Sequence, residues 1–263
     1  MTLIVGIKCE DGVVMGADGA ATLGVMGQST ARQATKKLEI LNNRVVVGVS
    51  GSVGLAQRIR GEIQTLWDSH QLTKKKPHEI MVTIRNALWR HVEPEMQAAQ
   101  VASRVVGPAV ASQSCICTTM IALPMQKYCG LFQFDQQCAP EEASDGLPFI
   151  SIGSGQPLAD PFLAFIRRIF WRDRLPTKAE GIFAALWTLQ HAIDTAPGGI
   201  GDPTQIVLIE SESDDRWQAR ELLSEELQEH KEAISCAEHS LSNFREAFEK
   251  NDIEESPPPP HPQ

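Results

Sequence analysis

Predicted strands and helices come in groups along this chain, and the grouping constrains the fold more than any other feature of the sequence. Two β-hairpins lead into a pair of amphipathic helices, further strands lead into a second helix pair, and TQIVLIE (204–210) adds another strand. Antiparallel strand groups with helix pairs between them favour two packed sheets covered by helix layers, whereas a parallel sheet would alternate strand and helix. The predicted fold class is therefore α+β.

Local signals place individual elements within this order. TLIVGIKC and GVVMGADG are predicted strands that turn at Asp11-Gly12, and KLEIL and RVVVGVS turn at Asn42-Asn43. The segment TKAEGIFAALWTLQHAI opens with Thr177 and Glu180 at the spacing of a capping box, which predicts the start of a helix. The polar stretch between the two hairpins carries no predicted element, and a loop is predicted over 100–113.

Composition and charge argue against several classes of protein. The net charge of -9 argues against broad nucleic-acid binding through phosphate groups, and no apolar run is long enough to span a membrane. The N-terminus lacks the pattern of a signal peptide, so the expected location is the cytoplasm. Cysteines in a cytosolic chain of this size are expected to be buried thiols rather than disulfides. No motif has metal-ligand or cofactor spacing, so neither a metal nor a cofactor is predicted.

The region from 224 to 250 is predicted to form one long helix with an apolar stripe. Leu227, Ile234, Leu241 and Phe248 follow one another at seven-residue spacing. A narrow stripe of this kind is typical of a coiled-coil contact. It fits either docking of the helix on its own domain or a contact with another subunit.

Three segments follow from these patterns. A domain is predicted over 2–222, the amphipathic helix over 223–250, and a tail over 251–263. The tail contains four consecutive prolines, which cannot continue a helix. We therefore expect the tail to be disordered.

Several short motifs occur in an order that resembles one known family. They are Thr2, VGIKCEDGVVMGADGAATLG, the lysine pair at 36–37, VVVGVSGS, ISIGSG and IDTAPGG. This order is similar to that of the proteasome β-subunit and HslV family of N-terminal nucleophile hydrolases. The likeness is closest to the small proteasome-like proteins of bacteria, including the betaproteobacterial proteasome homologue, and it extends over residues 2–210. It implies a four-layer αββα sandwich and an assembly of stacked homo-oligomeric rings.

The resemblance implies that Thr2 is the nucleophile of a peptidase. A threonine hydroxyl is a weak nucleophile without a base nearby. A free α-amine on the same residue titrates at about 7.7–8.0 and can take the hydroxyl proton. Met1 must be removed first, because an amide in place of the amine cannot accept a proton.

The same resemblance assigns supporting roles to five other residues. Lys37 matches the catalytic lysine, whose positive charge lowers the pKa of a nearby amine or hydroxyl. Asp18 matches the acidic residue that keeps this lysine charged. Gly48, in VVVGVSG, matches the glycine whose backbone N–H stabilises the oxyanion. Ser154 and Asp194 match the residues that support the threonine amine.

The primary substrate pocket is implied in the same way. By resemblance, Ala21, Val46 and Ser50 would line it. Their side chains are small or neutral, which suggests that apolar side chains of the substrate are accepted.

Two positions depart from the family pattern. Pro197 stands where the proteasome motif has a second serine, and proline has no hydroxyl. The spacing between Asp18 and Lys37 is three residues longer than usual. Lys36, the alternative lysine, would point to the opposite face of a strand.

The function implied by the resemblance is a threonine-type endopeptidase in a self-compartmentalised ring. Peptides or proteins would be its substrates and an AAA+ unfoldase a candidate partner, with neither nucleic acid nor a membrane involved. Two alternatives stay open, namely a small-molecule amidase or acylase of the same chemistry and a catalytically silent ring scaffold. The retained Thr2, Asp18 and Lys37 argue against the scaffold, since an inactive member is expected to have lost at least one of them.

Overall fold

The computed structural model describes residues 2–25, 28–73, 75–107, 111, 115–125, 128–196, 198–213 and 216–249. Met1, Pro197 and the proline-rich tail over 251–263 lie outside these ranges, so the expectations for them stay predictions.

Within the described residues the chain forms twelve strands and five α-helices. In chain order they are β1 (Ile4–Cys9), β2 (Gly12–Ala17), β3 (Ala20–Val25), β4 (Gln28–Ala34), β5 (Leu38–Leu41), β6 (Val45–Gly51), α1 (Val53–Asp68), α2 (Pro77–Val106), β7 (Cys117–Pro124), β8 (Cys129–Phe134), β9 (Pro140–Glu142), β10 (Phe149–Ile152), α3 (Gln156–Ile166), α4 (Lys178–Thr195), β11 (Gln205–Ser213), β12 (Arg216–Glu221) and α5 (Gln228–Glu249). A π-helical turn, Arg167–Trp171, extends α3.

Ten of the strands form two five-stranded antiparallel sheets. The first sheet has the order β10-β1-β2-β11-β12 and the second has the order β5-β6-β7-β8-β9, while β3 and β4 form a separate hairpin. In the first sheet, β1 and β2 pair Ile4 with Ala17 and Cys9 with Gly12. The residues that follow β2 therefore lie beside the start of β1, and the backbone N–H of Asp18 donates to the carbonyl of Leu3 at 3.1 Å.

The two sheets pack face to face because their strands send apolar side chains to both sides. In β1, Ile4 lies in the core between the sheets, whereas Val5 and Ile7 lie in the core between the first sheet and its helices. In β6, Val46 faces the other sheet and Val47 faces the helices on the outside. Successive residues of a strand point to opposite faces, so strands that are apolar throughout supply two cores at once.

Helices cover the outer face of each sheet. α1 and α2 pack on the second sheet through residues such as Leu55 and Ile84. α3, α4 and α5 pack on the first sheet through residues such as Leu163, Leu189 and Ile234. The predicted α+β class and the four-layer αββα sandwich are confirmed. None of the helices within the described ranges is long and apolar enough to cross a membrane.

Two expectations about local structure are wrong. The polar stretch between the first two hairpins forms the β3–β4 hairpin, which its small and polar residues do not signal. The loop predicted over 100–113 begins too early, because α2 continues to Val106. The helix ends at Gly107, which has a φ of 84°, a conformation that glycine adopts without steric cost.

Helix α5 is docked along its first half and exposed along its second. Leu227, just before the helix, and Ile234 are 4% and 1% exposed, and both belong to the core against the first sheet. Trp187 of α4 donates a hydrogen bond to Glu238 at 2.9 Å. Beyond that point the apolar side chains are 55%, 61% and 64% exposed, in the order Leu241, Phe244 and Phe248. Only the first half of the apolar stripe therefore packs against its own domain.

Candidate active site

An open cavity of about 630 Å³ lies where the starts of β1 and β5 meet the ends of β6 and β10. These strands belong to both sheets, so the cavity sits at one edge of the sandwich. Five of the residues predicted for the site line it, and they come from distant parts of the sequence: Thr2, Ala21, Lys37, Ser50 and Ser154.

Thr2 is held in this cavity by the turn that follows β10. Its backbone N donates to Ser154 Oγ at 3.1 Å, and Gly155 N donates to its carbonyl oxygen at 3.1 Å. Gly153 has a φ of 99°, and a Cβ on it would lie 2.2 Å from the carbonyl oxygen of Thr2. Only glycine allows so close an approach at this φ, so the residue type at 153 fixes the position of Thr2.

Asp18 and Lys37 form a buried ion pair beside the cavity. Lys37 Nζ lies 2.6 Å from Asp18 Oδ1, and their side chains are 8% and 0% exposed. Asp18 Oδ1 also accepts from Leu3 N at 2.8 Å, and its Oδ2 accepts from Ala20 N at 3.2 Å and Gly201 N at 3.3 Å. The carboxylate therefore ties the start of β1 to the lysine.

Only one of the two adjacent lysines reaches Asp18. Lys36 points outward, 72% exposed, with its Nζ 2.8 Å from Glu221. The buried Gln205 side chain fixes this register, because its Oε1 accepts from Lys37 N at 3.2 Å and from Leu38 N at 3.0 Å. Adjacent residues of an extended chain point to opposite sides, so pinning this backbone directs Lys37 inward.

Two of the predicted site residues, both on β6, lie in the core and not in the cavity. Gly48 and Val46 occupy the middle of β6 and face the core between the sheets, where a Cβ on Gly48 would lie 2.9 Å from a methyl group of Leu38. Gly51 and Val49, further along the same strand, line the cavity.

A shift of three residues accounts for this difference. The family spacing between Asp18 and Lys37 is exceeded here by three residues, and the β3–β4 hairpin lies between the two. When the glycine and the two pocket positions that follow Lys37 move by three, they lead to residues that line the cavity: Val49, Gly51 and Val53. Gly51 has a φ of 133°, and a Cβ on it would lie 2.1 Å from the carbonyl oxygen of Ile116.

Asp194 lies apart from the cavity. It is an exposed residue in the last turn of α4 and is not among the residues that line the cavity. Of the two residues predicted to support the threonine amine, Ser154 contacts Thr2 and Asp194 is placed elsewhere.

The order of motifs and the geometry of the cavity agree with a comparison against protein families. The model of a family described as proteasome subunit matches residues 2–165. This chain belongs to the proteasome subunit family. Comparison with curated proteins gives no match.

Solved structures share the fold over nearly the whole chain. A mutant of Anbu from Hyphomicrobium sp. strain MC1 superposes with a TM-score of 0.67 at 17% identity, covering 97% of this chain and 99% of that one. Anbu, described as an ancestral β-subunit, from Yersinia bercovieri gives 0.65 at 14% identity, covering 98% and 100%. A helical assembly of the Anbu complex from Pseudomonas aeruginosa gives 0.66 at 13% identity, covering 97% and 98%. At these identities the likeness shows the fold.

Sequence reasoning missed one whole wall of the cavity in this proteasome-family chain. Val53, Ala56 and Arg60 of α1 line it together, because positions three, four and seven residues apart lie on one face of a helix. Ile116 and Thr118 add a second wall beside them. The helical period of α1 was visible in the sequence, but nothing in that period says that part of the helix faces a cavity.

Four of the five buried cysteines are not candidate nucleophiles. Burial raises the pKa of Cys117 to about 12 and that of Cys138 to about 11, and it raises the pKa of Cys9 and Cys129 well above the ordinary value. The thiolate is the reactive form, so these thiols stay protonated and inert at neutral pH. All six cysteines are free thiols and five of them are buried. Among the described residues, no group of three or more His, Cys, Asp or Glu is placed to hold a metal ion.

Proposed function

We propose that this chain is a threonine peptidase that uses Thr2 as its nucleophile once Met1 has been removed. One arrangement supports the proposal. Thr2 and Lys37 line the same cavity, Thr2 N lies 3.1 Å from Ser154 Oγ, and Lys37 Nζ lies 2.6 Å from the buried carboxylate of Asp18. A threonine hydroxyl is activated by an adjacent base, which here would be the α-amine of Thr2 itself, and Lys37 would supply a positive charge in the same cavity.

In the first step, the Thr2 hydroxyl oxygen attacks the carbonyl carbon of the peptide bond, and its proton passes to the α-amine of the same residue. The ammonium of Lys37, which is paired with Asp18, favours the developing negative charge on the attacking oxygen. We assign the oxyanion donor to the backbone N–H of Gly51 rather than Gly48. One such donor lowers the barrier by about 3 kcal/mol.

The intermediate then collapses as the C–N bond breaks, and the proton on the α-amine passes to the leaving amine. Thr2 now carries an ester of the acyl half of the substrate. A water molecule attacks this ester and gives one proton to the α-amine, and that proton returns to the Thr2 oxygen as the C–O bond breaks. Each cleavage consumes one water and releases one carboxylic acid and one amine.

Intact-protein mass spectrometry with a β-lactone or epoxyketone probe tests the nucleophile. We expect the wild-type chain to have lost Met1 and to gain the mass of one probe, and we expect Thr2→Ala to gain none. Thr2→Ser keeps a hydroxyl at the same place and is the matched control, which should still be labelled. A chain that keeps Met1 and stays unlabelled, or equal labelling of wild type and Thr2→Ala, would contradict the proposal.

We also propose that the chain assembles with copies of itself in the cytoplasm, with an AAA+ unfoldase as a candidate partner. The exposed apolar face at the end of α5 supports self-assembly, because such patches on soluble proteins mark interaction sites. One structural relative, the Anbu complex of Pseudomonas aeruginosa, is described as a helical assembly. Repeated head-to-tail contacts give a ring if the rotation closes and a helix if it does not. Free thiols throughout fit a reducing compartment.

Polar substitution of the α5 end is expected to lower the assembly state. The triple variant Leu241→Ser, Phe244→Ser and Phe248→Ser removes the apolar face while leaving the docked half of the helix intact. Native mass spectrometry should show smaller species than for the wild type. The control is Val101→Ser with Val105→Ser on α2, which changes side chains that are 67% and 86% exposed. An assembly of unchanged mass for the triple variant would contradict this proposal.

A further inference from the structure

Arg60 brings a positive charge to the wall of the cavity that α1 forms. Its Nη2 donates to the carbonyl oxygen of Lys37 at 3.3 Å. Its Nε is buried and has no hydrogen-bond partner among the described residues, although a carboxylate oxygen of Glu39 lies 3.5 Å away. A guanidinium has five N–H donors, so Arg60 keeps the capacity to bind a further acceptor.

The charge of Arg60 is not balanced inside the cavity. Lys37 also lines it, as does part of Lys36, whose Nζ points outward to Glu221, and among the described residues no aspartate or glutamate lines it. Asp18 pairs with Lys37 from behind the cavity wall, and the Glu39 carboxylate beside Arg60 is 51% exposed. Water screens an exposed carboxylate, so a molecule in the cavity meets a positive surface although the chain as a whole carries -9.

Apolar neighbours strengthen this positive charge. Val49 and Ala56, which are 7% and 6% exposed, line the same cavity, together with the more exposed side chains of Val53 and Ile116. Electrostatic attraction grows as the local dielectric constant falls. The Arg60 side chain is itself only 23% exposed, so a carboxylate at this wall gains more from it than from a fully exposed arginine.

We propose that Arg60 is a specificity-determining residue that selects substrates with an acidic side chain, glutamate or aspartate, on the acyl side of the cleaved bond. The inference depends on the proposed function, because the acyl-side residue enters this cavity only when its carbonyl carbon lies at Thr2. The planar guanidinium matches a carboxylate through two parallel hydrogen bonds. The small side chains of Ala21 and Ser50 suggested that apolar substrate side chains are accepted, but that interpretation did not take into account the cavity wall formed by α1.

Labelling rates with matched probes test the selection on the full-length protein. Two peptide epoxyketones are compared that differ only in the acyl-side residue, glutamate or leucine. We expect the wild type to react faster with the glutamate probe. Arg60→Leu should slow that reaction by about 10- to 100-fold, the worth of a hydrogen bond to a charged group. The leucine probe should react with Arg60→Leu at nearly the wild-type rate, and Arg60→Lys should keep part of the preference.

The outcomes separate selection from support of the fold. Arg60 touches the backbone of Lys37, so a purely structural role would slow both probes equally and overturn the inference. Equal rates of the two probes with the wild type would also overturn it, while leaving Thr2 as nucleophile. No reaction of the wild type with either probe would mean that the proposed peptidase function fails as well. As a gain-of-function arm, Arg60→Glu should react faster than the wild type with a probe that carries lysine at this position.

Discussion

Replacing Asp18 by alanine is expected to lower the free energy of unfolding by about 4 kcal/mol, because it removes the carboxylate from a buried ion pair. The substitution also takes away the acceptor of three backbone N–H groups, those of Leu3, Ala20 and Gly201. For a chain of this size the melting temperature should fall by about 10 °C. Differential scanning calorimetry or circular dichroism measures this shift directly.

A surface ion pair of similar geometry supplies the control. Lys8 Nζ lies 2.7 Å from Asp145, whose side chain is 77% exposed. Exposed pairs contribute about 0–1 kcal/mol, so Asp145→Ala should melt close to the wild type. If Asp18→Ala and Asp145→Ala had the same melting temperature, burial of the Asp18–Lys37 pair would not contribute to stability and the prediction would be wrong.

Lys37→Met separates the structural part of this pair from the chemical part. It leaves the Asp18 carboxylate with its backbone N–H donors, so we expect it to destabilise the fold less than Asp18→Ala does. It nevertheless removes the positive charge that favours ionisation of a nearby hydroxyl. Labelling of Thr2 by the epoxyketone probe should therefore be lost while the chain stays folded. Retained labelling would show that the lysine charge is dispensable.

The sequence predicted best those features that neighbouring residues decide. Asn42 and Asn43 have φ values of 50° and 54°, the left-handed pair that a tight hairpin turn of this kind requires. Thr177 accepts from Glu180 N, and the Glu180 carboxylate accepts from Thr177 N at 2.9 Å, which is the predicted capping box. Each of these two signals spans no more than four residues, so neither depends on tertiary packing.

Positions fixed by distant contacts could not be read from motifs alone. The β3–β4 hairpin lies between Asp18 and Lys37, and its sequence has few of the β-branched residues and none of the aromatic residues that mark strands. The match to the motif VVVGVSG led to Gly48, whereas the glycine of β6 that lines the cavity is Gly51. Arg60 was missed for a related reason, since only the packed fold shows which part of α1 faces a cavity.

The sequence could not predict what covers the apolar stripe of the C-terminal helix. Its seven-residue spacing correctly predicted a helix with one apolar face, but the same spacing fits docking and self-association. In the structure the first half of the helix is docked, since Ile234 is 1% exposed, and the second half is free for self-association, since Leu241 is 55% exposed. Periodicity identifies a face to be covered, and only the surrounding fold shows which part of that face is already covered.

Gly153→Ala is expected to abolish labelling of Thr2 by the epoxyketone probe, with only a moderate loss of stability. The new Cβ would lie 2.2 Å from the carbonyl oxygen of Thr2 and 3.0 Å from Ser50 Oγ, so Thr2 must move. Its contacts to Ser154 and Gly155 would then be lost, and a displacement of about 1 Å at a reacting group can cost about 100-fold in rate. A non-glycine residue at the φ of 99° adds about 1–3 kcal/mol of strain.

An exposed glycine that does not line the cavity distinguishes this effect from a general intolerance of substitution. Gly61 lies within α1, and a Cβ on it would meet no atom within 4 Å. Gly61→Ala should stabilise the chain by about 0.5–1 kcal/mol, because alanine loses less conformational entropy in a helix. Its labelling rate should equal that of the wild type. If Gly153→Ala were labelled as fast as Gly61→Ala, Thr2 would not need the close approach of the turn after β10, and the position assigned to the nucleophile would have to be revised.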